Sequence, residues 1–467
     1  MGTTSPGSLI TEQLATFVCQ LRLETTPALV IEEAKRCILD TTGVIVAGQT
    51  TNVARKTRIH AVSAYGQGRA HVIGMPDQLH PMGTALVNGT AGHSQDFDDT
   101  SYTGIMHGSV VVLPAALAMA EQQGVNGKKL LEAFIAGVEI EYAIAELCTS
   151  NIYFKGWWTS GVYGIFGAAA ASAKILGLNQ ADITNAIALA TSYASGMRAC
   201  FGTDAKPLGI GIAASRGLEC ALLAASAVTG PANAFESDNG FLKLMNDNKH
   251  ASNYDSIHDL RLTQKWRLTD PGILFKSYPV CSAAQAGAEL TLQQLNKHEL
   301  TADDIQQVIC EVPPLVKISL VYDQPDTIRQ AQFSMPFAVG CMLAFGEIKL
   351  THLTEDVLAN PELQQQMKKV VMQVPEYLKT DDSVQQRCPE GAGITITTRS
   401  GLQFNDFLNR PTGMPGNPAS TQALLDKFQD CLLHGGKKPA VVKSVADELL
   451  KIEECSNIRL IFEKLSK

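Results

Sequence analysis

Apolar residues recur at helical spacing through the first 271 residues, and some of these stretches are apolar on every side. Val110–Ala120 and Gly164–Ala173 are the clearest examples. An amphipathic surface helix has only one apolar face, whereas a helix that is apolar all round is buried inside a bundle. Only 18% of the residues are charged, while glycine and alanine are abundant. The pattern therefore predicts an all-α first part whose helices pack closely through small side chains.

The same spacing predicts the individual helices, with Gly, Pro or Asn at most of their boundaries. Ser8–Gly48 is expected to hold two helices joined at Thr25–Pro27. The further predicted helices are Gly83–Ala91, Val110–Gln122, Gly127–Ser150, Gly161–Leu176, Gln180–Ser195 and Gly209–Val228.

The pattern changes near Asp270–Gly272, beyond which strands are predicted among helices. The expected strands are Gln307–Pro313, Val370–Pro375 and a hairpin of Gly393–Thr398 with Leu402–Phe407; helices are expected at Ala283–Asn296, Gln330–Ala344, Ser420–Leu433 and Val442–Lys451. The fold class predicted is mainly α. A helical domain (1–271) is completed by the C-terminal tail (410–467), and a smaller α+β lid domain (272–409) is inserted between them.

Charge and cysteine content exclude several classes of function. The net charge is −8 and no Lys/Arg-rich run occurs, so the basic surface of a nucleic-acid-binding protein is missing. Met1–Ile10 is not typical of a secretory signal, and no uninterrupted apolar run reaches the length of a membrane span. The eleven cysteines are scattered without a C-x-x-C pair, which favours neither a disulfide framework nor a zinc ribbon. We therefore expect a cytoplasmic protein.

The most unusual stretch is Asn88–Ser109, where titratable residues crowd between two apolar helices. If the helix continued through Asp99, Asp96 would share a face with His93, Asp99 and Thr100, while Asp98 would point elsewhere. A carboxyl group held beside another in a dry site has a raised pKa and can transfer protons near neutral pH. The alternative is a helix end followed by a solvated loop.

A Mg²⁺ site on Asp96 and Asp99 is also conceivable, but no second acidic cluster is present to complete an octahedral shell. We therefore predict no metal.

Two other stretches carry candidate cations. Lys206 precedes a proline, which biases its backbone toward an extended conformation at the start of a buried helix. Arg198 and Arg216 bracket it, and a buried substrate carboxylate would need such cations. The alternative is that all three are ordinary surface charges.

The stretch Phe275–Ser282 lies at the junction of the two predicted domains, where ligand clefts are common. Lys276, Tyr278 and Cys281 are therefore candidates for substrate binding. Cys281 alone is more typical of a small packed thiol than of a nucleophile.

Four ordered motifs resemble the MmgE/PrpD family, which includes 2-methylcitrate dehydratase, cis-aconitate decarboxylase and iminodisuccinate epimerase. They are AGHSQDFDDT with a following HGS, GVYGIFGAAAASAKILGL, KPLGIGIAASRGLECALLA and FKSYPVC. The resemblance covers essentially the whole chain. It implies a cofactor-free homodimeric enzyme with a helical domain, a smaller lid and an active site between them.

Carried over residue by residue, the family's functional positions match Asp96, Thr100, His107, Lys206 and Lys276, the histidine after allowing a one-residue shift. Three positions depart from the family pattern. A histidine is replaced by Trp158, another by Gln285, and a tyrosine by Phe337. Trp158 suggests a tighter, more apolar substrate site.

The leading hypothesis is a lyase, a dehydratase or decarboxylase, acting on a small di- or tricarboxylate. Asp96 and His107 would move protons and Thr100 would orient Asp96, while Lys206, Lys276 and Arg198 would bind carboxylates. An epimerase or isomerase using the same proton abstraction, and a catalytically silent homologue that binds a metabolite, are the alternatives.

Overall fold

The computed structural model describes residues 9–148, 151–246, 260–380 and 389–466. In the first part the helices are α1 Ile10–Gln20, α2 Ala28–Gly48, α3 Asn52–Tyr65, α4 Pro81–His93, α5 Ser109–Gln123, α6 Gly127–Leu147, α7 Asn151–Phe154, α8 Thr159–Leu176, α9 Gln180–Ala190, α10 Ala205–Ala225 and α11 Phe241–Met245. The predicted series of helices is thus confirmed, with shifted ends. The expected end of the sixth helix, at 149–150, lies outside the described residues, as does most of the N-terminal stretch 1–10.

The second part mixes helices with one small sheet. Its helices are α12 Ser282–Lys297, α13 Pro314–Ser319, α14 Ile328–Ala331, α15 Met335–Phe345, α16 Glu355–Leu358, α17 Pro361–Met367 and α18 Glu376–Thr380. The C-terminal helices are α19 Thr421–His434, α20 Pro439–Leu449 and α21 Arg459–Ser466. One predicted helix, Gln330–Ala344, is divided into α14 and α15, because Ser334 caps a new helix by accepting from the Phe337 amide.

Six strands are described. β1 (Gln67–His71) and β2 (Gln78–Leu79) form an antiparallel pair that the sequence pattern did not predict. The others, β3 (Ile305–Glu311), β4 (Val370–Gln373), β5 (Ala392–Thr398) and β6 (Gln403–Leu408), make one sheet in the order β4-β3-β5-β6. β3 and β4 run parallel, whereas β3–β5 and β5–β6 are antiparallel pairs. All four predicted strands are confirmed, and the fold is mainly α with a small α+β portion.

Close contacts between α4, α8 and α10 form the centre of the helical core. A Cβ added to Gly89 of α4 would lie 2.9 Å from the Cα of Gly211 in α10, so the two backbones touch. A Cβ on Gly217 of α10 would lie 2.5 Å from the carbonyl oxygen of Ile165 in α8. The abundant small residues are therefore what allows α10 to pass between its neighbours.

The central helix α10 is also, by length and composition alone, apolar enough to cross a membrane. In the folded chain 56% of the apolar window is buried among other helices. The first turn of α10 places Lys206 in a cluster of charged side chains. The apolar composition of α10 is explained by its burial in the helical core.

The C-terminal helices pack back onto the first part of the chain, as the sequence predicted. α19 lies along α2, where Nζ of Lys427 is 2.8 Å from Oδ1 of Asp40. The amide of Gly127 donates to the carbonyl of Cys455 at 2.8 Å. The domain boundaries themselves, at 271/272 and 409/410, stay a prediction.

Candidate active site

The polar stretch that follows α4 is not helical. α4 ends at His93, Ser94 caps it, and Asp96 has a φ of +49°. This left-handed conformation turns the chain, so the expected helical face of Asp96 with Asp99 and Thr100 does not form. The condition of a helix continuing through Asp99 is therefore not met, and the alternative of a helix end followed by a loop describes the backbone here.

Asp96 lies between the two candidate lysines. Nζ of Lys206 donates to its Oδ1 at 2.8 Å. Nζ of Lys276 donates to the backbone oxygen of Asp96 at 2.7 Å and lies 3.6 Å from Oδ2 of the same residue. All three side chains are buried, and the pairing answers the requirement that a buried charge have a partner.

This pairing reverses the predicted direction of one pKa. Burial acts to raise the pKa of Asp96, but Lys206 and Lys276 hold it well below its usual range. Burial likewise opposes the charge on Lys276, whereas Asp96 and Asp98 raise its pKa above the ordinary value. Asp96 is therefore ionised near neutral pH.

A second chain of hydrogen bonds runs through two histidines to Asp98. Nδ1 of His93 donates to the Asp98 carboxylate at 2.9 Å, and Nδ1 of His107 lies 3.0 Å from Oδ2 of the same group. Nε2 of His93 lies 2.6 Å from Nζ of Lys206. Asp98, which was predicted to point elsewhere, is thus central, because the left-handed turn at Asp96 brings it back beneath the histidines.

The protonation states of this chain follow from its burial. Burial lowers the pKa of His93 to about 3, against the opposing effect of Asp98 and with a contribution from Lys206. A neutral His93 with its proton on Nδ1 accepts from the Lys206 ammonium through Nε2. Burial opposes the charge on Asp98, but the two histidines hold its pKa well below the usual value. In this series of hydrogen bonds Lys206 donates to His93, and His93 in turn donates to Asp98.

The side chain of Asp99 is not part of this series of hydrogen bonds. Its Oδ2 lies 2.5 Å from the hydroxyl of Ser109. Burial, with the neighbouring carboxyl groups of Asp40 and Asp98, raises the pKa of Asp99 to about 8. The raised carboxyl pKa expected in this stretch thus belongs to Asp99.

One ligand atom each from His93, Asp98 and His107 lie within 4.8 Å of one another, a spacing that could hold a metal ion. Nδ1 of His107 also lies 2.9 Å from the carbonyl oxygen of Asp99. That contact requires a proton on Nδ1, which a metal-bound imidazole nitrogen does not carry. In this arrangement Nδ1 of His107 is a hydrogen-bond donor.

A narrow cavity opens beside the cluster. Its lining comes from His93, Ser94, Asp96, Gly202, Thr203, Lys206 and Pro207 on one side, and from Arg329, Gln332 and Phe333 on the other. Apolar rings surround the ammonium of Lys206, whose Nζ lies 4.8 Å from the ring centre of Phe333 and 5.7 Å from that of Trp158. These rings exclude water from the charge and strengthen its interactions.

The other candidate residues lie around this cavity and outside its lining. The hydroxyl of Thr100 donates to the carbonyl of Met106 at 3.0 Å, and its backbone pairs with Leu274. Thr100 therefore ties the polar loop to the segment before Lys276. It does not make the predicted bond to Asp96, because its hydroxyl is directed into its own loop.

Arg198 stacks on Tyr153, with Cζ 4.5 Å from the ring centre, and donates to the carbonyls of Tyr153 and Ile318. Tyr278 lines a neighbouring groove, as does Lys276. Cys281 is buried, and burial raises the pKa of its thiol to about 12. Arg198, Tyr278 and Cys281 are thus not brought to the cavity.

Family models match most of the chain. The MmgE/PrpD N-terminal domain model matches residues 12–253, and the MmgE/PrpD C-terminal domain model matches residues 278–452. The chain belongs to the MmgE/PrpD family. It is 29% identical over 466 residues to a Homo sapiens protein named cis-aconitate decarboxylase, covering 96% of this chain and 93% of that one. An Aspergillus terreus protein of the same name is 25% identical over 479 residues, covering 98% and 96%.

Gln285, one of the three departures from the MmgE/PrpD pattern, has a structural use. Its Oε1 accepts from the amides of Ser277 and Tyr278 at 3.1 and 3.0 Å. Its Nε2 donates to the carbonyls of Tyr278 and Val280 at 2.9 and 3.2 Å. The amide therefore fixes the turn that follows Lys276.

The other two departures are apolar. Phe337 is fully buried in α15. Trp158 stacks on His93, with ring centres 5.6 Å apart, and so holds that imidazole in place.

Arg329, Gln332 and His93 complete the site, and only His93 was noticed in the sequence, as a flanking residue. Arg329 donates to the carbonyl of Ser94, and its Nε lies 3.5 Å from Oδ1 of Asp204. The sequence around Arg329 and Gln332 carries no motif. Their proximity to Lys206 arises from packing of the second part of the chain on the first.

Proposed function

We propose that the chain is a lyase that removes carbon dioxide from a small unsaturated tricarboxylate, with cis-aconitate as the first candidate. Membership of the MmgE/PrpD family and relatives named cis-aconitate decarboxylase support a lyase. The cations Lys206 and Arg329, which line the narrow cavity, support an anionic substrate. Neither of the two relatives described above is named as a dehydratase.

The observation that carries the proposal is the hydrogen bonding of Lys206. An ammonium group has three N–H donors. Among the described residues one of them points to Asp96 and one to His93. The third has no acceptor among the residues that the structure describes and can donate to a substrate carboxylate, since Lys206 lines the cavity.

Decarboxylation of such a substrate sets two demands. The bond between a carbon and its carboxylate breaks, the electron pair stays on the carbon skeleton, and a proton then replaces the lost carbon dioxide. The adjacent double bond and carboxylate spread the developing negative charge. A fixed cation must stabilise that charge, and an acid must supply the proton.

Lys206 meets both demands. Its ammonium is held by Asp96 and His93 in a site shielded by aromatic rings, where a fixed charge is worth more than in water. Its free N–H is the proton donor that lines the cavity. Arg329, on the opposite wall, provides a second cation for the substrate carboxylates.

The remaining residues act through Lys206. Lys276 keeps Asp96 ionised from the side away from the cavity, and Asp98 sets the tautomer of His93. His107, the second histidine on Asp98, supports that orientation and is in edge contact with His93, with ring centres 4.6 Å apart. We thus assign His107, Lys276 and Asp96 to positioning. Homodimer formation and cytoplasmic location stay predictions.

The test is to incubate the purified chain with cis-aconitate and with related di- and tricarboxylates in D₂O. Carbon dioxide release with one deuterium incorporated into the product is expected. Deuterium in a product of unchanged composition would instead indicate an epimerase or isomerase. Loss of water would indicate a dehydratase. Thermal stabilisation by a tricarboxylate without any product would indicate a silent homologue.

A further inference from the structure

Gln332 carries a polar group for which the folded chain supplies no acceptor. Its side-chain Nε2 is buried and has no hydrogen-bond partner among the described residues, and only 3% of the residue is exposed. A buried donor without a partner is costly, and native proteins leave few of them. Gln332 lines the cavity that holds Lys206, so the residue that carries this unpaired donor borders the site.

The backbone of Gln332 is held firmly. Its amide donates to the carbonyl of Ile328 at 3.2 Å, and its carbonyl accepts from the amide of Cys281 at 3.0 Å. The same segment carries Arg329, which is bonded to Ser94 across the cavity, and Phe333, whose ring covers the Lys206 ammonium. The segment is thus fixed to both sides of the site, which fixes the backbone position from which the Gln332 side chain extends.

We propose that the Gln332 amide is the specificity-determining anchor for the third carboxylate of a tricarboxylate substrate. This inference rests on the proposed function, since it assigns the remaining carboxylate of that substrate. Lys206 and Arg329 supply two cations, and the uncharged amide supplies the further donor that a dicarboxylate would leave unpaired. A site built to hydrogen-bond a substrate group discriminates against analogues that lack it.

The experiment measures binding and does not depend on turnover. Tricarballylate has three carboxylates but no double bond, and glutarate has the same five-carbon chain with two carboxylates. Their affinities for the full chain and for Gln332→Leu are compared by calorimetry. The variant is expected to lose about 10- to 100-fold in affinity for tricarballylate, the worth of a hydrogen bond to a charged group. Its affinity for glutarate should stay within about twofold.

Gln330→Leu is the matched control, because Gln330 lies on the same turn and its Oε1 accepts from the Asp326 amide away from the cavity. It should leave the ratio of the two affinities unchanged. Gln332→Glu keeps the size and polarity of the side chain should the leucine variant fail to fold. A carboxylate in place of the amide should lower tricarballylate affinity further than leucine does.

An unchanged ratio in both Gln332 variants, or an equal loss for both ligands, would overturn the inference. If the wild-type chain bound neither ligand, the proposed function and the inference would both fail. If Gln332 variants changed the ratio as expected while no substrate released carbon dioxide, the binding assignment would stand and the proposed reaction would be wrong.

Discussion

Nζ of Lys206 lies 2.6 Å from Nε2 of His93. A cation so close to an imidazole is tolerated only when the ring is neutral and offers its lone pair. The ring meets that condition, since burial lowers the pKa of His93 to about 3, and Asp98 holds the proton on the opposite nitrogen. The lysine, the neutral histidine and the carboxylate therefore form one directional unit.

Lys206→Met should reduce kcat for decarboxylation by at least about 10²-fold, because it removes the fixed charge and the proton donor together. Breaking a buried ion pair should also lower the free energy of unfolding by about 3–5 kcal/mol. Activity is therefore measured at a temperature where circular dichroism shows the variant folded. Near-normal turnover in the folded variant would contradict the role given to Lys206.

Lys174→Met is the control for the loss of a buried lysine. Nζ of Lys174 donates to the carbonyls of Val18 and Leu21 at 2.7 and 2.9 Å, away from the cavity. This variant should unfold at a lower temperature and keep its kcat, which separates the stability effect from the catalytic one.

Asp98→Asn should lower kcat by about 10²-fold or more while the chain stays folded. The carboxylate accepts from both histidines, whereas an amide offers one acceptor oxygen and two N–H donors. If the amide N–H faces His93, that imidazole must move its proton to Nε2 and can no longer accept from Lys206. NMR of ¹⁵N-labelled histidine should show a shift from the Nδ1–H to the Nε2–H form. An unchanged tautomer would argue against the directional unit.

The fold could be predicted to a large extent because its signals are local. The apolar period identified the core helices, and alternation identified the four strands between 305 and 408. The pair β1–β2 was missed since Gln67–His71 and Gln78–Leu79 show no alternation of apolar and polar residues. Their pairing depends on the neighbouring helices, which periodicity does not report.

The site was predicted in its components and not in its geometry. Asp96, Lys206 and Lys276 do converge, but the role of Asp98 depends on the turn at Asp96, where no glycine or proline marks the end of α4. Lys206 was expected in an extended loop before Pro207, whereas both residues lie in the first turn of α10, where proline is tolerated. The sequence did not indicate Gln332 as a site residue, because only tertiary packing brings this glutamine to the cavity.

Gln285→His would restore the residue type expected from the family, and we expect it to impair the chain. The glutamine amide makes four hydrogen bonds to the turn after Lys276, and an imidazole has two nitrogens. At least two backbone groups of this turn would lose their side-chain partner, at about 0.5–1.5 kcal/mol for each hydrogen bond lost. Urea unfolding should show a clear loss of stability without a gain in kcat. A stable variant with raised turnover would show that Gln285 is a lost catalytic position.

Asp99→Asn should distinguish the role of Asp99 from that of the adjacent Asp98, because the two carboxyl groups differ in ionisation. Burial raises the pKa of Asp99 to about 8, so the folded chain keeps this proton at pH 7. A neutral amide should therefore preserve kcat, whereas Asp98→Asn should not.

The unfolded chain loses the proton of Asp99 near pH 4. The stabilisation from protonated Asp99 is therefore fully present below about pH 4 and is lost as the pH rises through about 8. The wild-type free energy of unfolding should fall relative to that of Asp99→Asn by up to about 1.4 kcal/mol per pH unit between about pH 5 and 8. Urea titrations of both chains across that range measure the difference directly, and parallel pH profiles would mean that Asp99 is ionised in the folded state.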